Sequence, residues 1–124
     1  MNIVETSKEL TPFEIYNMTL SPEAESMKNA SGKALKVSAW LTYEDADKKT
    51  GEKINILTIL DGFTGISYGA QSETFKRSFH DIIDIANMSG MDEIYIKVIT
   101  GFTKAGREYI NCVLITKEVA EGLK

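Results

Sequence analysis

Aromatic and basic residues interleave wherever this chain alternates in the manner of a β-strand. Trp40 interrupts a polar strand face carrying Lys36 and Ser38, Tyr95 and Lys97 lie two residues apart, and so do Tyr109 and Asn111. Phe102, Lys104 and Arg107 gather around a short glycine-containing segment between the last two runs. Side chains of a strand point to alternate faces, so residues two apart share a face. A face of rings and cations suits single-stranded nucleic acid: each ring stacks a base for about 1–3 kcal/mol, and nearby cations pair with phosphates. The competing reading is structural: Trp40, Tyr95 and Tyr109 cover the N-terminal segment or a subunit contact, and Lys104 and Arg107 are solvated tip residues.

Catalytic chemistry finds little support. The chain has one cysteine and one histidine, too few for a disulfide or a Cys/His metal site. His80 stands beside Asp81 and Asp84 on the charged side of an expected helix, where solvation is its ordinary state. Glu44, Asp45 and Asp47 sit next to Lys48 and Lys49 in a polar turn, a setting that does not separate carboxylate pKa values for acid–base work. The EF-hand ligand spacing is absent, as is the strand–GxxxxGK–helix pattern that cradles phosphate. The sequence reads as a binding protein, not an enzyme, with no cofactor.

With 124 residues, 43% of them hydrophobic and 26% charged, the chain has the composition of one soluble globular domain. A net charge of −4 argues against coating duplex DNA by bulk charge, whereas single-strand binding needs cations only locally. No apolar run matches a bilayer's thickness and no signal-peptide core opens the chain, so a cytoplasmic protein is expected, with Cys112 a small buried hydrophobe.

The elements that must position these residues follow from periodicity. Residues 34–43 alternate, with Leu35, Val37, Ala39, Leu41 and Tyr43 opposite Lys36, Ser38, Trp40 and Thr42. After a charged turn over 44–53, a nearly all-apolar strand spans 53–60, Asp61-Gly62 turns the chain, and a shorter strand interrupted by Gly65 and Gly69 spans 63–70. Ser72 caps a helix over 72–88 that presents Phe75, Phe79, Ile82, Ile83 and Ala86 on one face and ends at Ser89-Gly90. Strands at 93–100 and 107–115 flank a turn at Thr103–Gly106 with a left-handed Gly106. Before all of these, Thr11-Pro12 offers a helix or turn start, and Ser21-Pro22-Glu23 has the chemistry of a helix N-terminus leading to Asn29-Ala30. The expected fold is mainly β with one main helix, ordered β-β-β-α-β-β. That is a five-stranded OB-fold barrel over 33–116, with an N-terminal extension, 1–32, packed on it and a short C-terminal tail, 117–124. Such barrels commonly hold oligonucleotides or oligosaccharides.

The strand Ala39-Trp40-Leu41-Thr42-Tyr43, the segments Thr58-Ile59-Leu60-Asp61-Gly62 and Ile66-Ser67-Tyr68, and the helix end Asp81-Ile82-Ile83-Asp84-Ile85 form a recognisable series. It is completed by Ile96-Lys97-Val98-Ile99-Thr100-Gly101 through Lys104-Ala105-Gly106. Over roughly 32–115 the chain resembles the small single-stranded-DNA-binding proteins of phages with protein-primed, phi29-like DNA replication. The resemblance implies an OB-like domain that coats the displaced strand, with Tyr43 and Tyr68 matching tyrosines that take part in binding. The longer N-terminal segment and Trp40 depart from that pattern. Alternation places Tyr43 on the apolar face while the resemblance wants it at the ligand. A bulge midway along the strand would exchange the faces, so Trp40 and Tyr43 both stand as candidates.

The expectation is therefore a protein that binds single-stranded DNA without strong sequence preference and supports phage replication. Trp40, Tyr43, Tyr68, Tyr95, Phe102 and Tyr109 supply rings, and Lys36, Lys97, Lys104 and Arg107 meet phosphates, with Lys48, Lys49 and Lys53 reaching from the first long loop. Replication proteins such as a polymerase are further partners, a membrane is not, and the protein acts as a monomer or a homo-oligomer. The alternative is an OB-like phage module that binds a host or replication protein through the same surface, and a weaker third is a virion structural barrel. Because no acidic C-terminal tail is present, removal of 117–124 is expected to leave any replication function largely intact.

Overall fold

A computed structural model describes residues 1–124. In chain order the elements are β1 (Asn2–Thr6), α1 (Pro12–Thr19), β2 (Glu25–Ser26), a 3₁₀ turn (Met27–Ala30), β3 (Ala34–Ala46), β4 (Lys53–Asp61) and β5 (Ser67–Ala70). There follow α2 (Glu73–Ser89), β6 (Tyr95–Phe102), β7 (Glu108–Ile115) and α3 (Lys117–Leu123). The fold is mainly β with three helices, and its sheet runs β2-β5-β4-β3-β6-β7 with β1 added beside β3. The sheet curls into a half-barrel compatible with an OB-like barrel.

The curl originates in β3. Its first residues pair with β6, Ala34 opposite Lys97 and Lys36 opposite Tyr95. Its later residues give the same edge to β1, with Leu41 opposite Thr6 and Glu44 opposite Asn2. Along its other edge, β4 follows through a break in register between Val37 and Ala39. That bulge exchanges faces, as an inserted residue must in a structure of period two. Leu35 and Trp40 consequently both enter the main core with Leu57, Ile59, Phe75, Phe79, Ile96 and Val98. Ala39, Leu41 and Tyr43 turn to the opposite side, where Met18 of α1, Ile3 and Leu10 cover them.

α2 closes the core through the five residues its periodicity singled out, Phe75, Phe79, Ile82, Ile83 and Ala86. The Ser72 hydroxyl accepts the Phe75 amide at 3.2 Å, and Gly90, left-handed at φ 66°, ends the helix. The first helix lies elsewhere than the Ser21-Pro22-Glu23 signal indicates. It starts at Thr11, where a reciprocal capping box pairs the Thr11 hydroxyl with the Glu14 amide (3.2 Å) and the Glu14 carboxylate with the Thr11 amide (3.0 Å). Ser21 instead forms a turn, its hydroxyl accepting the Glu23 amide, and the chain then extends, because the edge of β5 offers backbone partners. β2 pairs with β5 in parallel, Glu25 opposite Tyr68. Beyond the 3₁₀ turn, the Gly32 amide donates to the Val98 carbonyl and the Val98 amide to the Lys33 carbonyl. Residues 25–33 thus span the gap between β5 and β6.

β5 is shorter than the alternation over 63–70 indicates, because the carboxylate of Asp61 organises the preceding residues into a turn. Asp61, 2% exposed, accepts the Lys36 amide (3.1 Å), the Phe63 amide (3.0 Å) and the Thr64 hydroxyl (2.9 Å). The 117–124 tail is the helix α3, laid against β6 by Ala120 and Leu123.

Candidate nucleic-acid interface

The structure divides the ten expected site residues into two groups. Four rings lie inside: Trp40 is 6% exposed, Tyr43 6%, Tyr68 2% and Tyr95 4%. Rings so enclosed have no free face for a base, which corrects the expectation that they lie open. The bulge accounts for the first two. It carries Trp40 inward, edge-on to Phe79 at 5.9 Å and to His80 at 5.5 Å, and leaves Tyr43 beneath α1, its hydroxyl directed to the Thr19 carbonyl. Burial raises the pKa of the Tyr43 phenol, and Asp45 adds to the shift. Tyr68 points into the main core from β5, its pKa raised by burial and then by Glu25 and Asp61. Tyr95 lies beneath α3, tilted against Phe63 at 5.9 Å, with its hydroxyl donating to Glu93 at 3.0 Å. Lys36 is drawn into the same cluster, 3.6 Å from Glu93.

The second group comes together on the β6–β7 hairpin. Its outer face is a ladder of cross-strand pairs: Tyr95 with Ile115, Lys97 with Val113, Ile99 with Asn111, and Gly101 with Tyr109. Tyr109, 42% exposed, lies across the backbone of Gly101, where a Cβ would fall 2.7 Å from its hydroxyl oxygen and 2.8 Å from Cζ. The absent side chain makes room for the phenol end of the ring against the strand, while much of the side chain stays in solvent. Phe102, 72% exposed, stands at the tip. The Thr103 amide donates to the Arg107 carbonyl at 2.8 Å and Gly106 sits at φ +81°, so Lys104 is held out on a tight turn beside Arg107.

Charge is distributed to match. Lys97, Lys104 and Arg107 form no ion pair. Glu108, the one acid between residues 95 and 115, is held by Lys28 at 3.5 Å. A molecule of net charge −4 therefore presents local cations with one exposed ring, Tyr109, on the outer face of the hairpin and another, Phe102, at its tip. Lys48 and Lys49 also have no acidic partner, whereas Lys53 is bound to Glu44 at 2.8 Å. Their loop is shaped by Asp47, whose carboxylate accepts the Lys49 and Thr50 amides and is held below its ordinary pKa by them. The largest cleft, about 370 Å³ at the β3 bulge, includes Glu5, Asp84 and His80 but no lysine or arginine. It is electrostatically wrong for phosphate.

Over residues 2–115 the chain matches the family described as phage single-stranded DNA-binding protein, of the phi29 type. The chain belongs to that family. Neither the curated proteins nor the solved structures gave a match. The match takes in β1, α1 and β2, so the N-terminal segment lies within the span of phage single-stranded DNA-binding proteins although the resemblance seen in the sequence covers roughly 32–115. α3 lies beyond it. Two features of this family member escaped sequence reasoning. Gly101 had a signal, a glycine inside a strand, which often marks close approach of another group. Glu93, which holds Lys36, Lys117 and Tyr95 together, had none, because its partners come from three separate parts of the chain.

Proposed function

We propose that this phage single-stranded DNA-binding protein coats displaced strands during phage DNA replication without sequence preference, through the outer face and tip of the β6–β7 hairpin. Tyr109 and Phe102 stack bases, Lys97, Lys104 and Arg107 meet phosphates, and Lys48 and Lys49 add charge from the β3–β4 loop. The observation that carries this reading is the seating of Tyr109 on Gly101 among cations with no acidic partner. Stacking on an aromatic face tolerates any base, since every base has a π-face, and this accounts for indifference to sequence. Trp40, Tyr43 and Tyr68 serve the core instead. The protein is a non-enzymatic OB-fold domain over 33–116, with residues 1–32 as an extension filling its seam. It works in the host cytoplasm.

A contact with a replication protein has an observation of its own. Phe13, Tyr16 and Leu20, at 82%, 50% and 57% exposure, line the solvent side of α1, away from the hairpin residues. The decisive experiment is titration of a labelled oligo-dT with the protein and its Phe102→Ala/Tyr109→Ala variant. We expect the variant to bind at least tenfold more weakly at low salt, and equal affinity would refute the assignment.

A further inference from the structure

The outer ladder of the hairpin does not stop at Lys97. It continues to Tyr95, which shares the face and lies six residues from Gly101, about 20 Å along the strand. Beyond Lys97 the same surface is roofed by α3. Ala120, fully buried, and Leu123 rest on Tyr95, Phe63 and Ile115. The Lys124 ammonium stands over the Phe63 ring at 5.1 Å. Under this roof are the components already assigned to the open part of the face. Tyr95 and Phe63 form a ring pair, and Lys36 is a cation directly across from Tyr95 in the β3–β6 register.

We propose that α3 is a displaceable cover over a second nucleotide-stacking subsite made by Tyr95 and Phe63, with Lys36 as its phosphate partner. This inference rests on the hairpin reading above. The fastenings of α3 are few. It is seven residues long and includes Gly122, so its intrinsic helicity is poor. Its ion pair to the body, Lys117 to Glu93, is long at 3.9 Å with both partners about half exposed, and such pairs are weak. It also carries Glu118 and Glu121, which add to burial and Glu93 in raising the pKa of the Tyr95 phenol, and the Glu121 carboxyl is held below its ordinary value by Lys124 first and by Lys36 among others. A strand advancing from Tyr109 and Lys97 toward Tyr95 would therefore replace the carboxylates of Glu118 and Glu121 by phosphates near Lys36, which exchanges its 3.6 Å pairing with Glu93 for the strand. With the cover closed the protein engages only the hairpin's outer half, and with it open the site lengthens.

Two full-length variants push the cover in opposite directions. Gly122 has no atom within 4 Å of a built Cβ and no positive φ, so Gly122→Ala stabilises α3 without touching anything and should weaken binding of a long oligo-dT about fourfold. Ala120→Glu places a charge where no room exists, undocks α3 and should tighten binding. Hydrogen exchange of residues 117–123 should accelerate when saturating oligo-dT is added to the unmodified protein. Binding that is unchanged by Gly122→Ala, together with α3 amides equally protected with and without DNA, overturns the cover while leaving the hairpin reading intact. Failure of the unmodified protein and of Ala120→Glu to bind oligo-dT at low salt overturns the hairpin reading on which it rests.

Discussion

Gly101→Ala tests the hairpin platform without removing a single ring or charge. The added methyl would lie 2.7 Å from the Tyr109 hydroxyl oxygen, 2.8 Å from Cζ and 2.9 Å from Cε1, distances no real Cβ contact sustains. Tyr109 is at the surface, so its side chain relieves the clash by swinging off the strand. The fold loses little, since alanine costs a strand less backbone entropy than glycine. The ring loses its seat and with it the orientation that offers one face to a base. The largest effect equals one stacking contact, about 1–3 kcal/mol, or roughly 5- to 150-fold in Kd. Fluorescence anisotropy of a labelled oligo-dT measures it, with Trp40 emission as a check on the fold, because Trp40 packs on Phe79 inside the core. Tyr109→Ala should cost as much, and the double variant no more than either alone. If Gly101→Ala binds like the unmodified protein while Tyr109→Ala is impaired, the seat on Gly101 is irrelevant. If both bind normally, the platform does not exist.

Lys104→Gln and Arg107→Gln should each lower the slope of log affinity against log salt by about 0.7, and an unaltered slope would place those cations away from phosphate. Asp61→Ala strands the Lys36 and Phe63 amides and the Thr64 hydroxyl it now satisfies, a loss of roughly 2–4 kcal/mol readable in urea denaturation; a change under 1 kcal/mol would contradict the role given to that turn. Glu93 is held below its ordinary pKa of 4.5 by the Tyr95 hydroxyl first, then by Lys117 and Lys36. Its contribution is therefore complete above pH 4.5 and disappears as pH falls through the lower folded value. α3 amides should accordingly lose protection on acidification from pH 5 to pH 3 before those of α2 do, and simultaneous loss would be the adverse result. Burial pushes the Cys112 thiol up to about 12, so a thiol-specific disulfide reagent at pH 8 should label the protein only once it unfolds.

Sequence periodicity located α2, β6 and β7 because each follows one repeat, 3.6 or 2, across its length. It could not follow β3 across the bulge between Val37 and Ala39, where one irregularity reverses the meaning of every later side chain. That is why Trp40 lies in the core although it occupies a polar face on paper. The Ser21-Pro22-Glu23 signal failed for a different reason, whereas Thr11-Pro12 does start a helix. Ser21-Pro22-Glu23 is sound helix-cap chemistry, yet the backbone partners on β5 and β6 overrode it, and local propensity carries no information about partners forty residues away. Of the candidate site, Phe102, Lys104, Arg107 and Tyr109 were legible because a hairpin is local in sequence. Tyr95 was expected to lie open and is covered, because α3, which roofs it, is a helix too short to announce itself by pattern.

The strap of residues 25–33 sets the order in which this molecule can finish folding. Glu25 waits for Tyr68 and Gly32 for Val98, so a segment synthesised early stays without its partners until most of the chain has followed. Closing such distant loops is slow, and until it happens the edges of β5 and β6 are bare backbone, open to pairing with a neighbouring chain. The protein would thus be most vulnerable to self-association just after synthesis, with its N-terminal third already made but not yet locked in place.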